Sequence, residues 1–236
     1  MRFSLWQPGR LLSKKNVKGW VRLTLGDMGG FRNMKSKWAG KTWGTLGDSI
    51  TAANGYQPLV QDALGFSRVH NYGVGGCPMT AGGERDYGAT THVGRSIENT
   101  LDCVTIFAGV NDFRLDKPLG AIGTLDPCTF YGAYASLIED ILVKNPLCRL
   151  NLWTPLHRDK DGYDIHYVNA AGYRLCDYAE AVAALGRIYA LPVLDLYAQS
   201  GLNKLTLSNF TTDGLHPNEA GHRRIADMAI SFLRGL

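Results

Sequence analysis

Five short apolar runs, with helical stretches between them, restrict this chain more than any other feature. The runs are Thr42–Leu46, Ser67–Tyr72, Cys103–Ala108, Arg149–Thr154 and Pro192–Leu196. Several are nearly continuous in apolar residues rather than alternating. Strands read that way when helices cover both faces of a parallel sheet. Helical periodicity occupies Gln57–Leu64 and Phe130–Lys144, the latter with apolar residues at 130, 134, 137, 138, 141 and 142 and an end before Pro146. It returns over Asn169–Ala190 and over Asn218–Leu233, where Ile225, Met228, Ala229 and Phe232 share one face. Strands alternating with helices in this way predict an α/β fold, a three-layer α/β/α sandwich around a five-stranded parallel sheet.

At 236 residues the chain is long enough for one domain with an appendage. The expected division is a basic arm over 1–40 and a compact domain over 41–236. Residues 1–41 hold ten Lys and Arg against the single acid Asp27, a charge of +9, which leaves −5 for the remainder of a chain of net +4. The arm also carries Trp6, Trp20 and Trp38 and a candidate short strand over Val17–Leu25. A basic arm on a mildly acidic body suggests a partner of its own, either an anionic polymer or another subunit in an oligomer or larger assembly. The alternative is an arm lying on its own domain. No nucleic-acid partner is expected. No apolar stretch reaches 18 residues, so no transmembrane helix is expected, and Met1–Lys18 lack the apolar core of a signal peptide. The compartment is left open.

The five cysteines, Cys77, Cys103, Cys128, Cys148 and Cys176, are odd in number and irregular in spacing, with no CxxC pair and no zinc-ligand spacing. They read as neither a disulfide framework nor a metal site. Cys103 and Cys148 fall in apolar runs and are expected to be core thiols.

Three connections are long for this architecture: Cys77–Val93, Asp112–Thr129 and Leu156–Val168. Long loops in a compact domain are usually functional, and these three leave the carboxyl ends of strands, where α/β sheets bind ligands. The first strand runs into Gly47-Asp48-Ser49, a sharp turn presenting a serine. It is read as a nucleophile, or else as a helix cap. After the third strand comes Gly109-Val110-Asn111-Asp112, where an Asn amide can donate to an oxyanion or simply form a turn. Glycines in Gly73-Val74-Gly75-Gly76-Cys77 let backbone N–H groups approach a ligand closely. Before the last helix, in Asp213-Gly214-Leu215-His216-Pro217-Asn218, a loop Asp stands three residues ahead of a loop His. That spacing lets the carboxylate orient the imidazole as a base, the alternative being an Asx-turn beside a surface His. Nucleophile, base, orienter and oxyanion donors at one sheet edge would make a complete acyl-transfer site.

These four blocks, in this order and at this spacing over about residues 42–236, resemble the SGNH (GDSL) hydrolase family. The resemblance implies a flavodoxin-like sheet, Ser49 as nucleophile, His216 as base and Asp213 as its orienter. It further implies an oxyanion hole made of the Ser49 N–H, the Gly76 N–H and the Asn111 side chain, with no metal or cofactor. Gly73 or Gly75 is the alternative donor to Gly76, and Cys77 stands where many members carry a polar residue. The family acts on lipids, thioesters and acetylated carbohydrates. Here the loops over Glu84–Tyr87, Asp112–Arg114 and His157–Asp161 are polar. They favour removal of acetyl or other small acyl groups from a carbohydrate, with Asp112, His157, Arg158 and His166 as candidate substrate contacts. A lipid esterase or lysophospholipase, a thioesterase, and a non-catalytic binding module of a larger assembly such as a phage tail are the other readings.

Overall fold

The computed structural model describes residues 36–83 and 85–236. Its strands are β1 (Thr42–Gly47), β2 (Arg68–Gly73), β3 (Cys103–Phe107), β4 (Arg149–Trp153) and β5 (Val193–Leu194). Its α-helices are α1 (Ser49–Ala52), α2 (Gln57–Leu64), α3 (Thr90–Gly94), α4 (Val110–Arg114), α5 (Phe130–Lys144), α6 (Leu175–Ile188), α7 (Leu196–Gln199), α8 (Leu207–Phe210) and α9 (Glu219–Gly235). All five strands are parallel, in the order β2-β1-β3-β4-β5, with helices on both sides. This is the expected three-layer α/β/α sandwich. Helices α2 and α9 pack on each other over one face, and α3, α5 and α6 form the other layer.

The middle of the sheet is covered on both faces, since β1, β3 and β4 are buried along nearly their whole length while the edge strand β2 is not. Trp43, Leu46, Ile106, Leu152 and Trp153 are fully buried. So are Val60, Ile225, Ala229 and Leu233 from the α2–α9 layer and Leu137, Ile138 and Val182 from the other. The buried polar atoms of the sheet satisfy one another. Trp43 Nε1 donates to Thr105 Oγ1 (2.9 Å), Thr105 Oγ1 donates to Asn151 Oδ1 (3.0 Å), and Asn151 Nδ2 donates to Val104 O (2.9 Å). Such a closed network avoids the desolvation cost of an unpaired donor.

Trp38 belongs to this core. It is 6% exposed, stacks on Phe66 and donates from Nε1 to Leu233 O at 2.7 Å. The compact domain therefore takes in Trp38 rather than starting at residue 41. Residues 1–35, with Trp6, Trp20 and Val17–Leu25, lie outside the described residues, and with them most of the basic arm. Among the described residues no helix is long and apolar enough to cross a membrane.

One helix start differs from the pattern. The apolar repeat from Asn169 suggests one long helix, but α6 starts only at Leu175. Asn169 is instead buried as a loop anchor: its Nδ2 donates to Phe113 O and Tyr178 Oη, and its Oδ1 accepts from Tyr173 N. Arg174 N then donates to Asp177 Oδ2 at 2.7 Å, capping the true start. The last helix starts within one residue of its expected place. The cap is Asn218, whose side chain accepts from Gly221 N.

Candidate active site

Register alone puts the motif residues at one edge. Gly47 at the end of β1 pairs with Gly73 of β2 and Phe107 of β3, and Phe107 pairs with Trp153 of β4. Ser49, Gly76, Asn111 and the His157–Asp161 loop all lie within a few residues of that line. Gly47 and Gly73 let this edge close up. A Cβ on Gly47 would stand 2.4 Å from Phe107 O, and one on Gly73 would stand 2.3 Å from Ala52 N.

Ser49 opens the short helix α1. Asp48 caps it by accepting from Ile50 N at 2.9 Å, and Gln57 Nε2 and Asn71 Nδ2 both donate to Thr51 O at 2.8 Å, pinning the far end. The serine hydroxyl is thus held rigidly while remaining partly exposed. Its Oγ lies 2.9 Å from His216 Nε2. His216 Nδ1 lies 2.8 Å from Asp213 Oδ2, while Asp213 Oδ1 accepts from the backbone N–H of Leu215 (3.1 Å) and His216 (2.8 Å). A carboxylate on Nδ1 fixes the proton there and leaves Nε2 as the acceptor facing the serine. Burial works against the charged form of Asp213. The His216 backbone N–H, the Lys160 ammonium and the His216 ring outweigh it and hold the carboxyl well below the usual carboxylate range.

Lys160 is a contact that the sequence does not single out. Its Nζ donates to Asp213 Oδ2 at 2.6 Å, the same oxygen that faces His216. The two loops are also joined by Asp159 N donating to Gly214 O at 2.8 Å.

Asn111 lies in the first turn of α4, where Gly109, at φ +134°, turns the chain out of β3. Its side chain is buried. Nδ2 donates to Cys77 O at 3.2 Å, and Oδ1 accepts from Arg114 Nε at 3.4 Å. One N–H of the amide is therefore used to tie α4 to the glycine turn, and the second is left for another acceptor. In that turn Cys77 N donates to Val74 O, and Gly76 takes φ +72°. Gly73 is not a free donor, since its N–H already donates to Asn71 Oδ1 at 2.9 Å. The Cys77 side chain is buried, which pushes its thiol up.

The expected substrate contacts fare differently. Asp112 is fully buried, and its carboxylate accepts from Met79 N (2.7 Å) and Thr80 N (3.0 Å). It fastens the 77–93 loop to α4 and does not present itself to a substrate. His157 stacks face to face on Tyr197 at 4.1 Å, so its ring is engaged in packing. Arg158 is buried, with Nη2 donating to Lys160 O at 3.2 Å. His166 is exposed. Among the described residues no three His, Cys, Asp or Glu side chains converge as metal ligands do.

Asp48 is the other group sequence reading passes over. It is fully buried, and desolvation, with Asp112 adding to it, pushes its carboxyl up to about 6 against the Ile50 N–H bond. A raised native value means the folded protein binds this proton more tightly than the unfolded chain. Stability therefore falls as pH rises from about 4 to about 6, by about 3 kcal/mol in all. Asp48→Asn keeps the cap without the charge. It is expected to raise unfolding free energy at pH 8 but not at pH 4, as read by denaturant titration at both. No gain at pH 8 would mean the charge is compensated in the fold.

The GDSL-like lipase/acylhydrolase family matches residues 45–224. The chain is a member of that family. Among solved structures, a Lactobacillus plantarum protein is 32% identical, covering 84% of this chain and 98% of its own at a TM-score of 0.75. The acetyl xylan esterase AlAXEase is 23% identical with a TM-score of 0.59, covering 80% of this chain and 98% of its own. A lipase/acylhydrolase from Enterococcus faecalis is 24% identical with a TM-score of 0.58, covering 83% and 96%. The last two share the fold with this acylhydrolase-family chain. No curated protein matches it.

Proposed function

We propose that this acylhydrolase is a serine esterase that removes acetyl or other small acyl groups from a carbohydrate. The observation that carries the reading is the Ser49 Oγ–His216 Nε2 contact of 2.9 Å, backed by Asp213 on the opposite ring nitrogen. In the first half-reaction His216 Nε2 takes the Ser49 proton as Oγ attacks the ester carbonyl. The carbonyl oxygen becomes an oxyanion, facing the Ser49 N–H, the Gly76 N–H and the spare N–H of Asn111. The Ser49 N–H belongs to the first turn of a helix and has no intrahelical partner. The imidazolium then protonates the sugar oxygen as the acyl C–O bond breaks, which releases the sugar with a free hydroxyl and leaves the acyl group on Ser49. In the second half-reaction His216 activates a water that attacks the acyl-serine, and Ser49 is restored.

The small-acyl preference rests on the polar loops around the serine. The acetyl xylan esterase shares this fold, and the fold alone does not choose the acyl group. Hydrolysis of p-nitrophenyl acetate, butyrate and octanoate tests the reading. Activity is expected to fall with chain length. A preference for octanoate would turn attention to Tyr87, Ile122 and Leu125, which are exposed on the same loops, and to a lipid substrate.

Lys160 has a positioning role in this scheme, because its ammonium shares Asp213 Oδ2 with His216. With Lys160→Met this tie to Asp213 Oδ2 is lost, the carboxylate holds the ring less firmly in place, and kcat is expected to fall about 10-fold with KM unchanged. Lys160→Arg is expected to restore it. A loss that appears only as less folded protein, with kcat per folded molecule unchanged, would make Lys160 a structural loop tie only.

A further inference from the structure

Three guanidinium groups at the site are left without a role by this mechanism. Arg114 is only partly buried and donates from Nε to Asn111 Oδ1 at 3.4 Å. Arg85 lies over the glycine turn, where a Cβ on Gly76 would stand 2.8 Å from its Nη1. Arg158 is 1% exposed, 5.0 Å from the Tyr163 ring, and its Nε and Nη1 are buried with no acceptor among the described residues. The Arg85 Nε is in the same condition. Among the described residues none of the three closes an ion pair, although Lys41, Lys144 and Lys160 each do.

Burying a guanidinium without a carboxylate is costly. Here burial works against the charge of Arg158, and repulsion from Arg114 adds to it. Asp161 and Asp213 offset this only in part, and from beyond ion-pair distance. The two buried carboxyls near the site are committed to backbone donors rather than to a guanidinium: Asp48 accepts from Ile50 N, and Asp112 accepts from Met79 N and Thr80 N. Like charges kept together beside a reaction centre raise the local concentration of anions and match a planar oxyanion group with paired donors.

We infer that the ester Ser49 attacks is carried by an anionic saccharide, and that Arg114 and Arg85 receive its negative group while Arg158 strengthens the field from beneath. The inference rests on the esterase reading for its location and extends it to the substrate's charge. A uronic-acid carboxylate and a sugar phosphate offer the same chemistry to a guanidinium fork.

The test compares O-acetylated methyl galactoside with its uronate counterpart as substrates of the full chain. The anionic ester is expected to show kcat/KM higher by about 10- to 100-fold, the value of one charge-assisted hydrogen bond. The preference should reside in KM and shrink in 0.5 M NaCl (a value chosen to screen the cleft, where the Debye length is below ~8 Å). Arg114→Gln should remove most of it. Arg158→Gln should reduce it too. The ratio of the two substrates is the readout, so partial loss of folded protein cancels. A second arm uses Ser49→Ala and calorimetry with methyl galactoside, methyl galacturonide and galactose 6-phosphate. Tighter binding of either anion than of the neutral sugar supports the inference, and the stronger of the two names the source. Equal kcat/KM for the two acetates in wild type, or equal binding of all three sugars, overturns it. Failure on p-nitrophenyl acetate would instead overturn the esterase reading, and the calorimetric arm alone would then decide the anion site.

Discussion

Ser49→Ala is expected to lower kcat for p-nitrophenyl acetate by about 10⁶-fold while leaving the fold intact. The hydroxyl is the group at hydrogen-bond distance from His216 Nε2, so its loss removes the nucleophile on which the proposed acyl-enzyme depends. Among the described residues its hydroxyl bonds to His216 and to no structural partner. The cap of α1 is Asp48, and the far end of the helix is held by Gln57 and Asn71. The thermal midpoint should therefore stay within a degree or two of wild type, as expected for a partly exposed side chain making one hydrogen bond. Because nucleophile and base act as one unit, adding His216→Ala to Ser49→Ala should cost almost nothing further. A double variant far slower than either single would mean that the two side chains serve different steps. Hydrolysis surviving in Ser49→Ala at more than about a thousandth of wild type would sink the assignment of the nucleophile, since water attack in the intact hole accounts for less than that.

Asn111→Ala should slow the reaction by about 10²- to 10³-fold, chiefly in kcat, because an oxyanion donor acts on charge that develops only in the transition state. Its position makes the experiment sharper than usual. One amide N–H is committed to Cys77 O at 3.2 Å, so truncation also loosens the turn that carries Gly76. Asn111→Asp separates the two effects. It preserves the size of the side chain but replaces the donor with a carboxylate, which repels the developing oxyanion. It should be at least as slow as the alanine variant. Wild-type kcat in Asn111→Ala, with the protein folded, would restrict the hole to the two backbone donors.

Much of this is legible in the sequence. Near-continuous apolar runs can be covered only from both faces, which decides for a parallel sheet, and the helix over Phe130–Lys144 starts and stops where its periodicity does. The periodic signal failed where a polar side chain found a better use than a helical turn. Asn169 became a buried anchor for three neighbouring groups, and the helix waited for Arg174 and Asp177. Asp112 went wrong for a related reason. A carboxylate at a strand end reads as a site group, yet it satisfies two backbone N–H groups of a loop that is over 30 residues away in sequence. No local pattern records such a pairing.

The sequence by itself determined the sheet, its order of elements and the edge at which Ser49, Asn111, Asp213 and His216 would meet, because strand direction and βα connection leave no other edge for residues that follow strands. Only the tertiary structure decided what surrounds them. Lys160 shares an oxygen of Asp213, Arg114 holds the amide of Asn111, Arg158 is buried without an ion pair among the described residues, and the Asp48 carboxyl is driven up by burial. Each depends on the distance between loops far apart in the chain and on the water those loops exclude. Both are properties of packing, which periodicity and spacing do not encode.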